Sequence, residues 1–262
     1  MLHIGLLVNP LAGLGGSLAL KGSDGPALRE LAVTLPDHER RRASDRVRRA
    51  LTVLDGLEPR IRFSTWGGAM GADALQGLGF ELAVLGGAAD EISCAADTVA
   101  ATQSLREAGV DLLVFAGGDG TARDIADVVG TDLPVLGIPA GVKMHSGVFA
   151  VSPEAAGLLL CQLVQGELVG LRAQEVRDID EEAFRNDIVR SRYYGELLVP
   201  GEGRFLQHTK VGGRESQELV AAEIGDWLAE QVSEEALYLL GPGSTTCAVK
   251  EALGMMPTLL GV

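Results

Sequence analysis

The fold of this chain is decided by the segment DLLVFAGGDGT at residues 111–121, in which an apolar run leads directly into a glycine cluster holding one acid and one hydroxyl. Residues 112–116 form the short hydrophobic run that is typical of a strand covered on both faces. Ile125, Val128 and Val129 follow at helical spacing. The segment therefore predicts a buried strand, a tight glycine turn and the start of a helix.

The glycine turn is a candidate phosphate site. Glycine lets the backbone turn sharply and lets another molecule approach it closely. The start of a helix directs free N–H groups and a positive dipole toward the same place. Asp119 adds a carboxylate to this cradle. The alternative is a glycine turn that only connects a strand to a helix, and the residues of the loop leave both interpretations open.

Strands and helices alternate along the first part of the chain. The patterns predict strands at residues 3–8, 60–66, 80–85, 112–116 and 133–138, and helices at 36–54, 90–108, 122–129 and 153–165. This alternation predicts an α/β fold with a Rossmann-like parallel sheet and helices on both faces. Such sheets bind ligands outside the carboxyl ends of their strands. Asn9, Asp119 and Gly141 each follow a predicted strand, so three glycine-containing loops should converge on one crevice.

Two polar features near the N-terminus have alternative interpretations. The glycine-rich loop at 9–25 carries Ser17, Lys21 and Ser23, which would bring polar groups to a nucleotide, or it is a long surface connection. Six arginines surround the apolar face of the helix predicted at 36–54. We expect these arginines to form a solvated face rather than a site for an anionic substrate.

The pattern becomes richer in strands beyond Gly166. The predicted elements are strands at 168–176, 193–199, 204–211 and 236–240, and a helix at 216–232. They predict a more β-rich second lobe, which divides the chain into an α/β nucleotide-binding domain at 1–150 and an α+β lobe at 151–262. Within this lobe Trp227 is predicted to be a core residue. The acidic cluster at 178–182 is predicted to cap a short helix rather than to bind a metal.

Composition limits the partners and the location of the protein. The 262 residues carry a net charge of −14, which repels phosphate polymers, so we expect neither nucleic acid nor an anionic membrane as a partner. A nucleotide in this field needs compensation from backbone N–H groups, basic side chains or a divalent cation. The absence of a long apolar run or a targeting signal predicts a cytoplasmic protein. The three separated cysteines predict reduced, mostly buried thiols.

The chain resembles a known enzyme superfamily. Residues 117–121, GGDGT, resemble the motif shared by NAD kinases, diacylglycerol and sphingosine kinases and 6-phosphofructokinases. Residues 134–150, PVLGIPAGVKMHSGVFA, are similar to the ATP-NAD kinase-like group that includes the acetoin-catabolism protein AcoX, and so are the segments at 9–16 and 20–25. The resemblance implies an NAD kinase-like fold. Relatives continue past residue 262, so we expect a C-terminal segment to be missing.

The resemblance also implies a reaction and its residues. It implies a kinase that uses ATP or polyphosphate, assisted by Mg²⁺, to phosphorylate the ribose 2′-hydroxyl of NAD in NADP biosynthesis. Asp119 would hydrogen-bond the acceptor hydroxyl as base or orienter and is the predicted catalytic residue. Gly117, Gly118 and Gly120 would present backbone to phosphate, and Thr121 would cap the helix or bind phosphate.

Further contacts with the nucleotides are predicted outside this loop. Residues 243–247 resemble the GSTAY element of NAD kinases, so Gly243, Ser244 and Thr245 are predicted to bind the dinucleotide, although Thr246-Cys247 departs from its Ala-Tyr. The other predicted ligands are Asn9, from the first strand end, and Lys143, as a compensating charge. His145 would supply a hydrogen bond or be a satisfied cap. We interpret Asn186-Asp187, which is similar to the Asn-acid pair of NAD kinases, as a coincidence.

Two alternative functions remain open from the sequence. One is a kinase of another small hydroxylated metabolite, linked to acetoin catabolism, and the other is a nucleotide-binding regulatory protein without turnover. The expected partners are small-molecule nucleotides, and the resemblance implies a homo-oligomer. The residues do not determine the phosphate donor or the acceptor.

Overall fold

The chain forms two compact units, Met1–Thr209 and Lys210–Val262. The structure is a computed structural model that describes residues 1–14, 34–36, 40–90, 92–141, 144–167, 170–179, 191–201, 206, 217–233, 236–241 and 244–256. The division predicted from the sequence, 1–150 and 151–262, stays a prediction. No helix in these ranges is long and apolar enough to cross a membrane.

A parallel sheet of five strands forms the centre of the first unit. Its strands are β1 Leu2–Val8, β2 Ile61–Thr65, β3 Glu81–Val84, β4 Leu112–Gly117 and β5 Val135–Pro139. Their order is β3-β2-β1-β4-β5, and every neighbouring pair is parallel. Because β4 and β5 are covered on both faces, all their residues are buried, as their continuous apolar sequences predict. The edge strand β3 is exposed.

Helices cover both faces of this sheet. They are α1 Arg42–Thr52, α2 Ala72–Leu75, α3 Ala95–Glu107, α4 Asp119–Val129 and α5 Pro153–Gln165, with short 3₁₀ turns at Glu58–Arg60 and Gly68–Met70. α1 and α5 pack on each other and on β5, and α3 and α4 pack on each other and on β1 and β4, respectively. The predicted α/β class, with a Rossmann-like sheet, is confirmed.

The start of α3 differs from its predicted position. The helix was predicted from residue 90 but begins at Ala95. The Asp97 carboxylate accepts hydrogen bonds from the backbone N of Cys94 at 2.8 Å and of Ala89 at 3.1 Å. A carboxylate in the first turn that binds the N–H groups before it fixes the helix start, as a capping box does.

Several arginines of α1 bind neighbouring elements, which the expectation of a solvated face did not include. Arg46 donates to the Pro139 carbonyl at 2.9 Å, and the Arg49 Nε lies 2.8 Å from Glu154 Oε1. Arg48 donates to carbonyls at the end of α2, where the helix dipole favours a cation. These arginines tie α1 to the sheet and to two other helices.

The contact between α1 and α5 predicts a large effect of one methyl group. A Cβ at Gly157 would collide with the Ala50 carbonyl oxygen and lie 2.8 Å from Val53 Cβ. Gly157→Ala should therefore lower the free energy of unfolding by about 1 to 3 kcal/mol, although alanine favours a helix by about 1 kcal/mol. Urea unfolding measures the change. Gly87→Ala is the control, because no atom lies within 4 Å of its Cβ position; equal stability of the two variants would contradict the close packing.

His3, buried at the start of β1, predicts a pH dependence of stability. Its Nε2 lies 2.8 Å from Ser64 Oγ, and Arg62 donates to its Nδ1 at 3.0 Å. Burial, and then the Arg62 guanidinium, lower the pKa of His3 from its ordinary value of 6.5. Below that pH the unfolded chain takes up a proton that the folded chain resists, so this contribution is present above pH 6.5 and is lost as the pH falls through the folded pKa.

The pH effect is measured as a difference between two proteins. Urea unfolding of the wild type and of His3→Gln is compared above and below pH 6.5. We expect the wild type to lose more stability than the variant on acidification, because glutamine does not titrate. Parallel loss in both proteins would mean that other groups carry the whole pH dependence.

The β-rich character predicted beyond the first sheet is also present. β6 Leu171–Ile179 and β7 Ser191–Pro200 form an antiparallel pair, which packs against α4. This confirms the predicted α/β fold with an additional β-rich part. Leu206 forms a bridge with Ala150; the rest of the strand predicted at 204–211 lies outside the described residues.

The second unit departs from two predictions. It contains α6 Gln217–Gln231 and α7 Ser244–Ala252, which pack on each other. Residues 236–240 do not form the predicted strand, and Leu237 and Leu239 are 87% and 79% exposed. A strand needs a partner for its backbone hydrogen bonds, and no described segment pairs with these residues. Trp227 is 53% exposed rather than in a core, because among the described elements of its unit only α7 packs on α6.

The cysteines and the acidic cluster need smaller corrections. All three cysteines are free thiols, as predicted, but they are half-buried rather than buried. Asp178 lies within β6 and not at the start of a helix. The other acids of the cluster at 180–182 lie outside the described residues, as do 15–33, which contain most of the second glycine-rich loop.

Candidate functional site

The loops after β1, β4 and β5 meet at one end of the sheet. β1 and β4 are neighbours, and the chain leaves them toward opposite edges, which is the switch point where α/β sheets bind ligands. The backbone N of Asn9 donates to the Ala116 carbonyl at 2.8 Å. The Asn9 side-chain amide donates to Thr121 Oγ1 at 2.9 Å. Two residues predicted from separate motifs are therefore in direct contact.

The third loop reaches the same place through glycine. The backbone N of Ala140 and that of Gly141 each donate to the Gly117 carbonyl at 3.0 Å. A Cβ on Gly141 would lie 2.7 Å from Gly118 Cα, and a Cβ on Gly117 would lie 2.6 Å from the Thr121 side chain. Gly141 needs glycine because its loop packs on the loop after β4, and Gly117 because the Thr121 side chain lies against it. Convergence of the three loops is thus confirmed, and Gly118 and Gly120 remain partly exposed at the start of α4.

Asp119 organises the loop that follows β5. It is the first residue of α4 and is buried. Its Oδ2 accepts from the backbone N of His145 at 2.6 Å and lies 3.2 Å from His145 Nδ1, and its Oδ1 accepts from the backbone N of Ser146 at 3.0 Å. A carboxylate at a helix N-terminus is favoured by the dipole, and hydrogen bonds to a charged acceptor are strong. Asp119 therefore joins α4 to residues 145 and 146.

The β6–β7 hairpin is attached to this loop and to α4. Ser146 Oγ donates to the Arg177 carbonyl at 2.8 Å and accepts from its backbone N at 3.0 Å. Arg123 of α4 lies 2.9 Å from Asp178 Oδ2, and its guanidinium is 5.5 Å from the centre of the Tyr194 ring. The hairpin therefore packs beside α4 and the loop that holds His145 and Ser146.

Sequence reasoning missed how closely His145 and Ser146 belong to the site. His145 was weighed as a cap or a single hydrogen bond, but its ring and its backbone both bind the Asp119 carboxylate. The available signal was position, because both residues follow the strand predicted at 133–138 and its Gly141 turn.

The remaining predicted ligands stay predictions. Lys143, Gly243 and Asn186 lie outside the described residues. Ser244 begins α7, and the side chain of Thr245 is exposed. Both belong to the second unit, so their predicted contact with a dinucleotide stays a prediction.

The described residues do not form a protein cage for Mg²⁺. Within the ranges that the structure describes, no group of three His, Cys, Asp or Glu side chains is arranged to hold a metal ion. The oxygens of Asp119 accept N–H groups, and Asp124 lies 3.5 Å from Arg123. Mg²⁺ commonly binds through substrate phosphates and few protein ligands.

Comparison with known families agrees with this arrangement. The family model described as ATP-NAD kinase N-terminal domain matches residues 4–168. The matched segment contains most of β1, all of β2 to β5, α5 and the three site loops. No curated protein and no solved structure gave a significant match. The more specific resemblance to the AcoX-like group stays a prediction.

Proposed function

We propose that this chain, which belongs to the ATP-NAD kinase family, is a kinase that transfers a phosphoryl group from ATP or polyphosphate to the ribose 2′-hydroxyl of NAD. The observation that carries this proposal is the Asp119 carboxylate at the start of α4, which binds residues 145 and 146 after β5, beside the contact of Asn9 with Thr121. A phosphoryl transfer needs such a fixed arrangement, because its catalysis consists mainly of positioning and charge stabilisation.

The chain supplies the contacts that a phosphate requires. The N-terminus of α4 directs N–H groups and a positive dipole out of the loop at Gly118 and Gly120. Thr121, held by Asn9, keeps the turn in place. Backbone donors bind a phosphate without adding to the net charge of −14. When bound with the nucleotide, Mg²⁺ would supply positive charge in a chain that has 22 basic and 36 acidic side chains.

Binding and turnover measurements test the proposal. The purified chain is titrated calorimetrically with NAD and with ATP in the presence of Mg²⁺, and NADP formation is followed with ATP or polyphosphate as donor. Binding of both nucleotides with NADP produced supports the proposal. ATP binding without NAD binding would mean that the acceptor of the kinase is another hydroxylated metabolite. Binding of nucleotides with no transfer to any hydroxyl tested would favour a regulatory protein.

A further inference from the structure

We propose that Ser146 is a positioning residue of this site. Its hydroxyl, bound to the β6–β7 hairpin, fixes the two backbone N–H groups that hold the Asp119 carboxylate, and so sets the orientation of that carboxylate. The inference rests on the kinase function proposed above, in which Asp119 is the predicted catalytic residue. Ser146 acts through the main chain and needs no contact with a nucleotide.

The Asp119 carboxylate is held by two successive donors, one for each oxygen. Oδ2 accepts from the backbone N of His145 at 2.6 Å, and Oδ1 accepts from that of Ser146 at 3.0 Å. Because each oxygen has its own donor, the two bonds together fix the rotation of the carboxylate plane. Hydrogen bonds to an ionised acceptor are also the strong ones. A shift of residues 145 and 146 would therefore turn the carboxylate with them.

The hydroxyl of Ser146 ties these donors to β6. Ser146 Oγ donates to the Arg177 carbonyl at 2.8 Å and accepts from the Arg177 backbone N at 3.0 Å. The side chain thus binds both main-chain groups of one strand residue, which needs a group that donates and accepts. Ser146 is 1% exposed, so water does not readily replace these bonds when the hydroxyl is removed.

The chain after Ser146 has backbone contacts of its own. The backbone N of Gly147 donates to the Glu175 carbonyl at 3.0 Å, and the Val148 carbonyl accepts from the backbone N of Gly137 at 2.9 Å. These bonds hold the residues that follow the two donors. Loss of the Ser146 hydroxyl should therefore loosen the donors and leave the rest of the segment in place.

A second contact attaches the same part of the hairpin to α4. Nη1 of Arg123 lies 2.9 Å from Oδ2 of Asp178, the residue after Arg177. Arg123 and Asp119 both belong to α4. The contacts therefore close a circuit, from Asp119 to Ser146, to Arg177 and Asp178, and through Arg123 back to α4. Phosphoryl transfer depends mainly on fixed positions of this kind.

Kinetics of NADP formation with ATP, NAD and Mg²⁺ test the role in turnover. Ser146→Ala should lower kcat by about 10- to 10²-fold with little change in either KM, because the misplaced group acts in the transition state and not in binding. Ser146→Cys keeps the volume but replaces the hydroxyl by a weakly hydrogen-bonding thiol, so it should also lower kcat. A normal kcat in Ser146→Cys beside a low one in Ser146→Ala would overturn the inference, because filled space would then be sufficient.

The matched control for both variants is Arg177→Ala. It leaves the main-chain groups that Ser146 binds and removes the ion pair between Arg177 Nε and Glu175 Oε2 at 2.7 Å. We expect this protein to keep the wild-type kcat. A fall equal to that of Ser146→Ala would assign the effect to the side chains of the hairpin and overturn the role of the hydroxyl.

Amide hydrogen exchange, followed by NMR on the full chain, tests the positioning without turnover. In both Ser146 variants the backbone amides of residues 145, 146 and 177 should exchange about tenfold faster or more, relative to the amides of β4, which report global unfolding. Arg177→Ala should keep the wild-type exchange at residues 145 and 146. Unchanged exchange of these two amides in the Ser146 variants would overturn the inference.

The two proposals fail in different ways. If the wild type forms no NADP with either donor, the NAD kinase function is wrong, and the exchange of the amides at 145 and 146 still decides whether the hydroxyl fixes them. If NADP forms but kcat or this exchange is unchanged in the Ser146 variants, the function stands and the positioning role is wrong.

Discussion

Replacing Asp119 by alanine is expected to lower the free energy of unfolding by about 2 to 4 kcal/mol and to reduce phosphoryl transfer by at least about 10²-fold. The stability loss arises because the backbone N–H groups of His145 and Ser146 lose their acceptor, at about 1 to 3 kcal/mol for each group left unsatisfied in the interior. Activity falls further because the carboxylate that is predicted to hydrogen-bond the acceptor hydroxyl is removed.

The matched control for this change is Asp127→Ala. Asp127 lies on the same helix and is exposed, so the variant removes the same charge without removing a buried acceptor. We expect its stability to stay within about 0.5 kcal/mol of the wild type. Urea unfolding and NADP formation are measured on both proteins. If Asp119→Ala were as stable and as active as Asp127→Ala, the organising role of Asp119 would be refuted.

Replacing Phe115 by alanine should produce the largest stability loss in the core, about 3 to 5 kcal/mol. Phe115 is fully buried in β4, and its ring centre is 5.3 Å from that of Phe149 in an edge-to-face contact. Its Cζ would lie only 3.1 Å from a Cβ at Gly137, so the side chain fills the space beside β5. Alanine would leave a cavity between β4, β5 and the segment around Phe149.

Two further variants test whether the lost stability follows the lost volume. Phe115→Leu should cost less than Phe115→Ala, because leucine fills part of the cavity. Leu82→Ala removes apolar volume from the edge strand β3, where the side chain is 40% exposed, and should cost about 1 kcal/mol or less. Unfolding midpoints that showed similar losses for Leu82→Ala and Phe115→Ala would contradict the packing of this core.

Local patterns were sufficient to predict most of the first unit. Runs such as 112–116 are apolar because both faces of a central strand are covered, so five strands and four of their helices were located from the sequence. Boundaries depended on single hydrogen bonds, as the carboxylate of Asp97 shows by starting α3 at Ala95. The segment at 236–240 has strand-like composition, but a strand also needs a partner, which no described segment provides.

The sequence by itself determined the class of the fold, the place of the glycine loop at a strand end and the residues Asn9, Asp119 and Thr121 as site candidates. These follow from periodicity and motif, which are local properties of the chain. Only the tertiary structure decided that Asn9 contacts Thr121, that Gly118 packs on Gly141, and that the Asp119 carboxylate binds His145 and Ser146. Those contacts join residues that are far apart in sequence. The order of the strands decides which loops meet, and several buried N–H donors compete for the one carboxylate.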